Sequence, residues 1–258
     1  MYNGFAGAWI HLYMEITDLV GSYLAEQGGS SQSYQGECMK IIELNKSPTA
    51  SNDQDAELLR AELKKKDIFL VNLMSAAGSG KTTLLSATIT DLRGQVPIGV
   101  LEADIASDVD AAAIEKLGAK SIQAHTGGCC HMDAAMTREA LEAYEAKKGE
   151  IIFLENVGNL ICPAEFDAGA HLDVMILSLP EGDDKPLKYP LMFQKSDALV
   201  ITKMDAAPFF DFDLDAAIRR ARALNPEIAV FPVSAKTGMG MGVWEKWLLD
   251  EREAWRHA

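Results

Sequence analysis

One segment constrains the fold more than any other. The apolar run Ile68–Met74 passes directly into Ser75-Ala76-Ala77-Gly78-Ser79-Gly80-Lys81-Thr82-Thr83 and then into a helical stretch over 81–92. A buried strand, a glycine-rich turn and a helix in that order form a phosphate-binding loop, which occurs within a parallel α/β sheet. The Walker A pattern asks for glycine at its first position, where this chain has Ser75; Gly80-Lys81-Thr82 is intact. Gly78, Ser79 and Gly80 let backbone N–H groups turn toward phosphate oxygens. Lys81 reaches the outer phosphates, and Thr82 offers a hydroxyl to Mg²⁺ beside Thr83.

The rest of the chain agrees with that start. Short apolar runs recur at Ile98–Leu101, Ile151–Leu154, Val174–Leu179, Ala198–Ile201 and Ile228–Val233. Most are continuous rather than alternating, as strands buried on both faces of a parallel sheet are. Helical patterns separate several of them, around 107–117, 131–148, 213–224 and 240–255. An earlier helix over 53–66 takes Asp53 as its cap and Lys64, Lys65 and Lys66 against its C-terminal dipole. The expected fold is a three-layer α/β P-loop NTPase with a mostly parallel sheet. Its domain runs over 39–258. Residues 1–38 are expected to form a flexible extension with a Gly/Ser/Gln-rich stretch at Gln27 to Gln35, and a start at Met39 is compatible with the pattern.

Composition excludes several classes. Of the 258 residues, 48% are hydrophobic, enough for a core. Acids outnumber bases 38 to 24, and a net charge of -14 repels a nucleic-acid backbone. No apolar run reaches the roughly 18 residues of a membrane-spanning helix. The N-terminus has no Lys or Arg before Lys40, unlike a signal peptide. Four cysteines are too few for a disulfide scaffold and suit a cytoplasmic, reduced protein.

Polar motifs follow the strands, where open α/β sheets bind ligands. Asp104 and Glu155 end two buried runs, and an acid there can hold Mg²⁺ near phosphates. Glu102 and Asp108 are weaker alternatives for that role and read first as surface acids or a cap. After Ala198–Ile201 comes Thr202-Lys203-Met204-Asp205, and after Ala229–Val233 comes Ser234-Ala235-Lys236. The pair resembles the guanine-reading NKxD and SAK motifs, with Thr202 in place of the usual Asn. Asp205 would accept from the two guanine donors that adenine lacks, Lys203 would lie along the base, and the backbone at Ala235 would meet the guanine oxygen.

A last cluster is of another kind. Cys129-Cys130-His131 lies before the helix Met132–Lys148, and Cys162 lies seven residues past Glu155. Thiolate and imidazole suit Ni²⁺ or Zn²⁺ rather than Mg²⁺ or Ca²⁺. The spacing matches no zinc-finger template, and buried cysteines are often just small apolar side chains. One chain offers two to four donors, and a two-fold dimer would double them.

Together these segments resemble the HypB family of hydrogenase maturation GTPases, P-loop GTPases of the SIMIBI class. The resemblance covers about residues 39–258. It rests on Met74 to Thr82, Asp104 to Asp108, Cys130 to Ala134, Glu155 to Pro163 and Glu181 to Pro190. It implies GTP hydrolysis to GDP, GTP-linked homodimerisation, and delivery of Ni²⁺ to the large-subunit precursor of [NiFe]-hydrogenase with a partner nickel metallochaperone. It puts the interface metal ligands, for Ni²⁺ or Zn²⁺, on Cys130, His131 and Cys162. Its magnesium and phosphate residues fall on Lys81, Thr82, Asp104 and Glu155. An N-terminal Cys-x-x-Cys-Gly-Cys motif or His-rich stretch of some members is absent, since residues 1–38 hold one cysteine, Cys38, and one histidine, His11. Cys129 is expected to be a neighbour of the site rather than a ligand. The rival readings are a urease-accessory-type GTPase, whose Cys-Pro-His motif is missing at Cys162-Pro163-Ala164, a P-loop kinase or ATPase, and a metal-binding module whose nucleotide only controls dimerisation.

Overall fold

The apolar runs become the strands of one parallel sheet in the computed structural model, which describes residues 41–43, 52–103, 114 and 116–258. Among the described residues the strands are β1 (Ile41–Glu43), β2 (Phe69–Ser75), β3 (Ile98–Ala103), β4 (Lys120–His125), β5 (Ile151–Glu155), β6 (Leu172–Ser178), β7 (Ala198–Thr202) and β8 (Ala229–Pro232). Their order is β1-β4-β3-β5-β2-β6-β7-β8, and each neighbouring pair is parallel. Every residue of β2, β5 and β7 is buried, which is why those segments read as unbroken apolar runs. The strands β1 and β4 add to those expected. In β4 the interior positions Ser121 and Gln123 are polar yet buried, so its run does not read as apolar.

The helices are α1 (Asn52–Lys66), α2 (Lys81–Asp91), α3 (Ala134–Tyr144), α4 (Cys162–Glu165), α5 (Lys185–Lys188), α6 (Pro190–Lys195), α7 (Leu214–Leu224) and α8 (Met241–His257). Asp53 lies in the first turn of α1 rather than capping it. Asn52 precedes it, and its buried side chain accepts from Ala134 N at 3.1 Å and donates to Asp167 O at 3.0 Å. The α3 helix is shorter than the expected 131–148. Asp133 caps it by accepting from Met136 N at 2.9 Å, and Glu145, in the left-handed region at φ 59°, ends it.

Three layers follow from which side chains each face buries. Phe69, Val71 and Leu73 of β2 pack with Leu84, Leu85 and Ile89 of α2 and Trp244 and Leu248 of α8. On the other face Leu70 meets Leu59 and Leu63 of α1 and Met136 and Leu141 of α3. Beyond β2, Met192 and Phe193 of α6 and Ala217 and Ala221 of α7 cover Met175, Leu177, Leu199 and Ile201. Burying each such Leu, Ile or Phe contributes about 1.5–3 kcal/mol. Trp244 Nε1 also donates to Thr88 Oγ1 at 3.1 Å, fastening α8 to the helix that follows the phosphate loop. Gly99 of β3 is required where Tyr144 closes over the sheet, because a Cβ there would overlap Tyr144 Oη. The expected leader 1–38, Asp104 to Asp108 and most of the 107–117 helix lie outside the described residues.

Candidate functional site

The carboxyl ends of β2, β3, β5 and β7 frame a cavity of about 470 Å³. Gly78, Gly80, Lys81, Thr82, Thr83, Glu155 and Lys203 line it, while Ser79 is wholly buried beneath. Gly78 and Gly80 hold φ of 74° and 95°, the left-handed region open to glycine, and this curls the chain into a loop before α2. The hydroxyl of Ser75 organises that loop. It accepts from Ser79 Oγ at 2.6 Å and from Lys81 Nζ at 3.0 Å, and donates to Ala76 O at 2.7 Å. The departure from Gly at this position therefore has a structural use.

Thr82 Oγ1 donates to Glu155 Oε1 at 3.0 Å, so the hydroxyl and carboxylate share one corner of the cavity. Hydroxyl and carboxylate oxygens are hard donors that fit Mg²⁺. Asp104 lies outside the described residues. Glu102 corrects the sequence reading. It is buried, at 3% exposure, lines the cavity, and pairs in register with Glu155 on the adjacent strand. The strand extends two residues past the apolar run Ile98–Leu101, to Ala103, and so takes Glu102 into the sheet. Asn156, also lining the cavity, was passed over as well. Gly158 lies so close to the loop that a Cβ would come within 3.1 Å of the Ala77 backbone.

The residues expected to read the base gather at the neighbouring strand ends. Thr202 Oγ1 donates to Ser79 O at 2.6 Å, and Lys203 Nζ donates to Gly78 O at 2.7 Å. Thr202 thus braces the phosphate loop. Asp205 Oδ1 accepts from Ser234 Oγ at 2.8 Å, and Lys236 Nζ stands 3.9 Å from its other oxygen. Ala235 lies between them, packed against the core.

Cys130 and His131, on the loop before α3, and Cys162, the first residue of α4, come together with donor atoms all within 4.8 Å. The two sulfurs are 2.7 Å apart, Cys130 Sγ lies 3.8 Å from His131 Nδ1, and Asn159 Nδ2 donates to Cys162 Sγ at 3.3 Å. The His131 ring stacks on Phe166 at 3.8 Å. Burial lowers the His131 pKa despite Asp133 and Glu165 nearby, which keeps a neutral imidazole able to bind a cation. The hydrogen bond with Cys130, and then burial, raise the Cys162 thiol. Three donors are one short of a closed tetrahedral site. Cys129 packs against the core beneath α3 and stands outside this group.

The parallel sheet, the glycine loop and the acidic turn beside it define a P-loop nucleotide-binding protein. The model of the CobW/HypB/UreG nucleotide-binding domain matches residues 69–232. Hydrogenase maturation factor HypB of Azotobacter chroococcum mcd 1 is 44% identical over 234 residues, covering 91% of this chain and 75% of that protein. HypB of Escherichia coli K12 is 41% identical, covering 83% and 73%. The crystal structure of Helicobacter pylori HypB in complex with nickel aligns with a TM-score of 0.74 at 33% identity, over 80% of this chain and 96% of that one. HypB of Archaeoglobus fulgidus aligns with a TM-score of 0.74 at 34% identity, over 79% and 99%. The chain belongs to the CobW/HypB/UreG nucleotide-binding family and, within it, to the HypB hydrogenase maturation factors. Among the described residues no helix is long and apolar enough to cross a membrane.

Proposed function

We propose that this chain hydrolyses GTP to GDP and inserts Ni²⁺ into the large-subunit precursor of [NiFe]-hydrogenase. It does so in the cytoplasm, as a GTP-stabilised homodimer acting with a partner nickel metallochaperone. The observation that carries this reading is the sharing of one segment by two sites. Glu155 meets Thr82 in the nucleotide cavity, and Cys162, seven residues on, meets Cys130 in the thiol–imidazole cluster.

The nucleotide roles divide among the cavity residues. Lys81 and the loop amides set positive charge against the phosphates, where phosphoryl transfer depends on positioning and charge neutralisation. Asp205, held by Ser234, reads guanine. Thr82 and Glu155, with Asp104, hold Mg²⁺, which supplies further charge neutralisation when bound. The cargo ion takes Cys130, His131 and Cys162. Their soft and borderline donors accept Ni²⁺ or Zn²⁺, and a second copy across a two-fold axis completes the coordination. Support for nickel comes from the nickel complex of the Helicobacter pylori relative.

The test is a Ni²⁺ titration of the full chain with a non-hydrolysable GTP analogue, on wild type and Cys130→Ala, with mass followed by sedimentation. Wild type should bind tightly as a dimer, and the variant should lose the ion. Undiminished binding in the variant would sink the assignment of the site.

A further inference from the structure

Asn156 lines one site and bonds the residue that follows the other, and has no part in the roles given above. It follows Glu155, lines the nucleotide cavity and is 1% exposed. Its Oδ1 accepts from the backbone N–H of Met132 at 3.1 Å and from that of Val157 at 2.9 Å. Its Nδ2 donates to Asn72 Oδ1 at 3.1 Å, and Asn72 Nδ2 donates in turn to Asp173 Oδ1 at 2.8 Å. Two N–H groups face one side of the amide, so its oxygen is turned toward them and its nitrogen toward Asn72. Asn72 is in the middle of β2, the strand that runs into the phosphate loop, and is itself 1% exposed.

Met132 directly follows Cys130 and His131 in the chain. The cluster draws its donors from two segments, 130–131 and 162, and a shift of one alone would separate sulfurs now 2.7 Å apart. The segment after Glu155 carries Cys162 along the chain. The Asn156 side chain grips the other segment through Met132 N. If residues 155–158 move, Met132 must follow or leave a buried N–H without an acceptor, which buried backbone groups avoid.

We propose that Asn156 is a positioning residue that links the state of the nucleotide cavity to the geometry of the thiol–imidazole cluster, with Asn72 orienting its amide. This inference rests on the reading of a GTP-coupled metal site and names the device that couples it.

The experiment measures the Ni²⁺ dissociation constant of the full chain with GDP and with a non-hydrolysable GTP analogue, for wild type, Asn156→Ala and Asn72→Ala. Coupled sites typically differ by about 5–150-fold between the two states. Both variants should bring that ratio to within about twofold of one. A residue needed only for folding would lower melting temperature and weaken binding in both states, leaving the ratio intact. Amide exchange at Met132 in the wild type gives a measure that needs no variant, and its protection should differ between the two nucleotides. A wild-type ratio of one would overturn the coupled reading itself. A large wild-type ratio that survives in the variants, or equal Met132 protection in both nucleotide states, would overturn the role of Asn156 alone.

Discussion

The nucleotide cavity and the thiol–imidazole cluster are built on opposite plans. The cavity takes its shape from main chain, with Gly78, Gly80 and Lys203 at positive φ and the hydroxyls of Ser75, Ser79 and Thr202 each bonded within or beneath the loop. The cluster is made of three half-buried side chains from a loop and the start of α4, steadied by the Phe166 ring and the Asn159 amide. Phosphate can be held by backbone amides that one chain orders completely. In the proposed delivery role the ion must also leave, and a site one donor short of closure suits delivery better than storage.

Four measurements would break or sharpen that contrast. The largest effect is expected for Asp205→Ala, which removes the carboxylate held by Ser234. A site that hydrogen-bonds its ligand's donors discriminates by roughly 10⁴ or more, and competition between GTP and ATP should show that preference largely erased. Next, Lys81→Ala should lower GTP turnover by about 10²–10³, the cost of losing one well-placed charge-stabilising donor. Ni²⁺ affinity without nucleotide should stay unchanged in that variant, since Lys81 lines the nucleotide cavity and bonds Ser75 there. Loss of metal affinity there would mean that the two plans are not separable. Third, Cys162→Ala should weaken Ni²⁺ binding by at least the ~10–100-fold that outer-shell changes cost at metal sites, while GTP affinity holds. Smallest is the effect of pH. The Cys162 thiol is raised by its Cys130 hydrogen bond and by burial, so it keeps its proton in the metal-free protein at neutral pH. Binding releases that proton, so affinity should climb about tenfold per pH unit for each thiol proton displaced, until the thiol's own pKa is passed. Titrations at several pH values would expose a flat response, which would mean that Cys162 is not a ligand.

The two plans also differ in how well they read from sequence. The cavity was legible because doubly buried strands such as Phe69–Ser75 leave an apolar run, and a glycine loop must follow one of them. The segment Lys120–His125 hid its strand, since Ser121 and Gln123 are polar and still buried. Glu102 was misread for a related reason: an acid in a buried strand looks like a loop acid until its neighbours are known. From the residues alone the cluster was legible only as donor types, and the grouping of Cys130, His131 and Cys162 came from the family resemblance. Cys130 and Cys162 are 32 positions apart, and no local rule brings their sulfurs together. Residue type alone does not separate Cys129 from Cys130; the family resemblance does, and Cys129 packs against the core. Asn156 is harder still, because its partners lie at 72 and 132 and its use exists only in three dimensions.

The ties from Thr202 and Lys203 to the carbonyls of Ser79 and Gly78 have a kinetic consequence. They tie the glycine loop to the turn proposed to meet the base, so a shift of one side of the cavity strains two hydrogen bonds to the other. The ordering entropy of the loop is then settled during folding, before any nucleotide arrives. Capture needs no slow rearrangement of that loop, and differences in affinity among nucleotides should appear as differences in residence time rather than in rate of arrival.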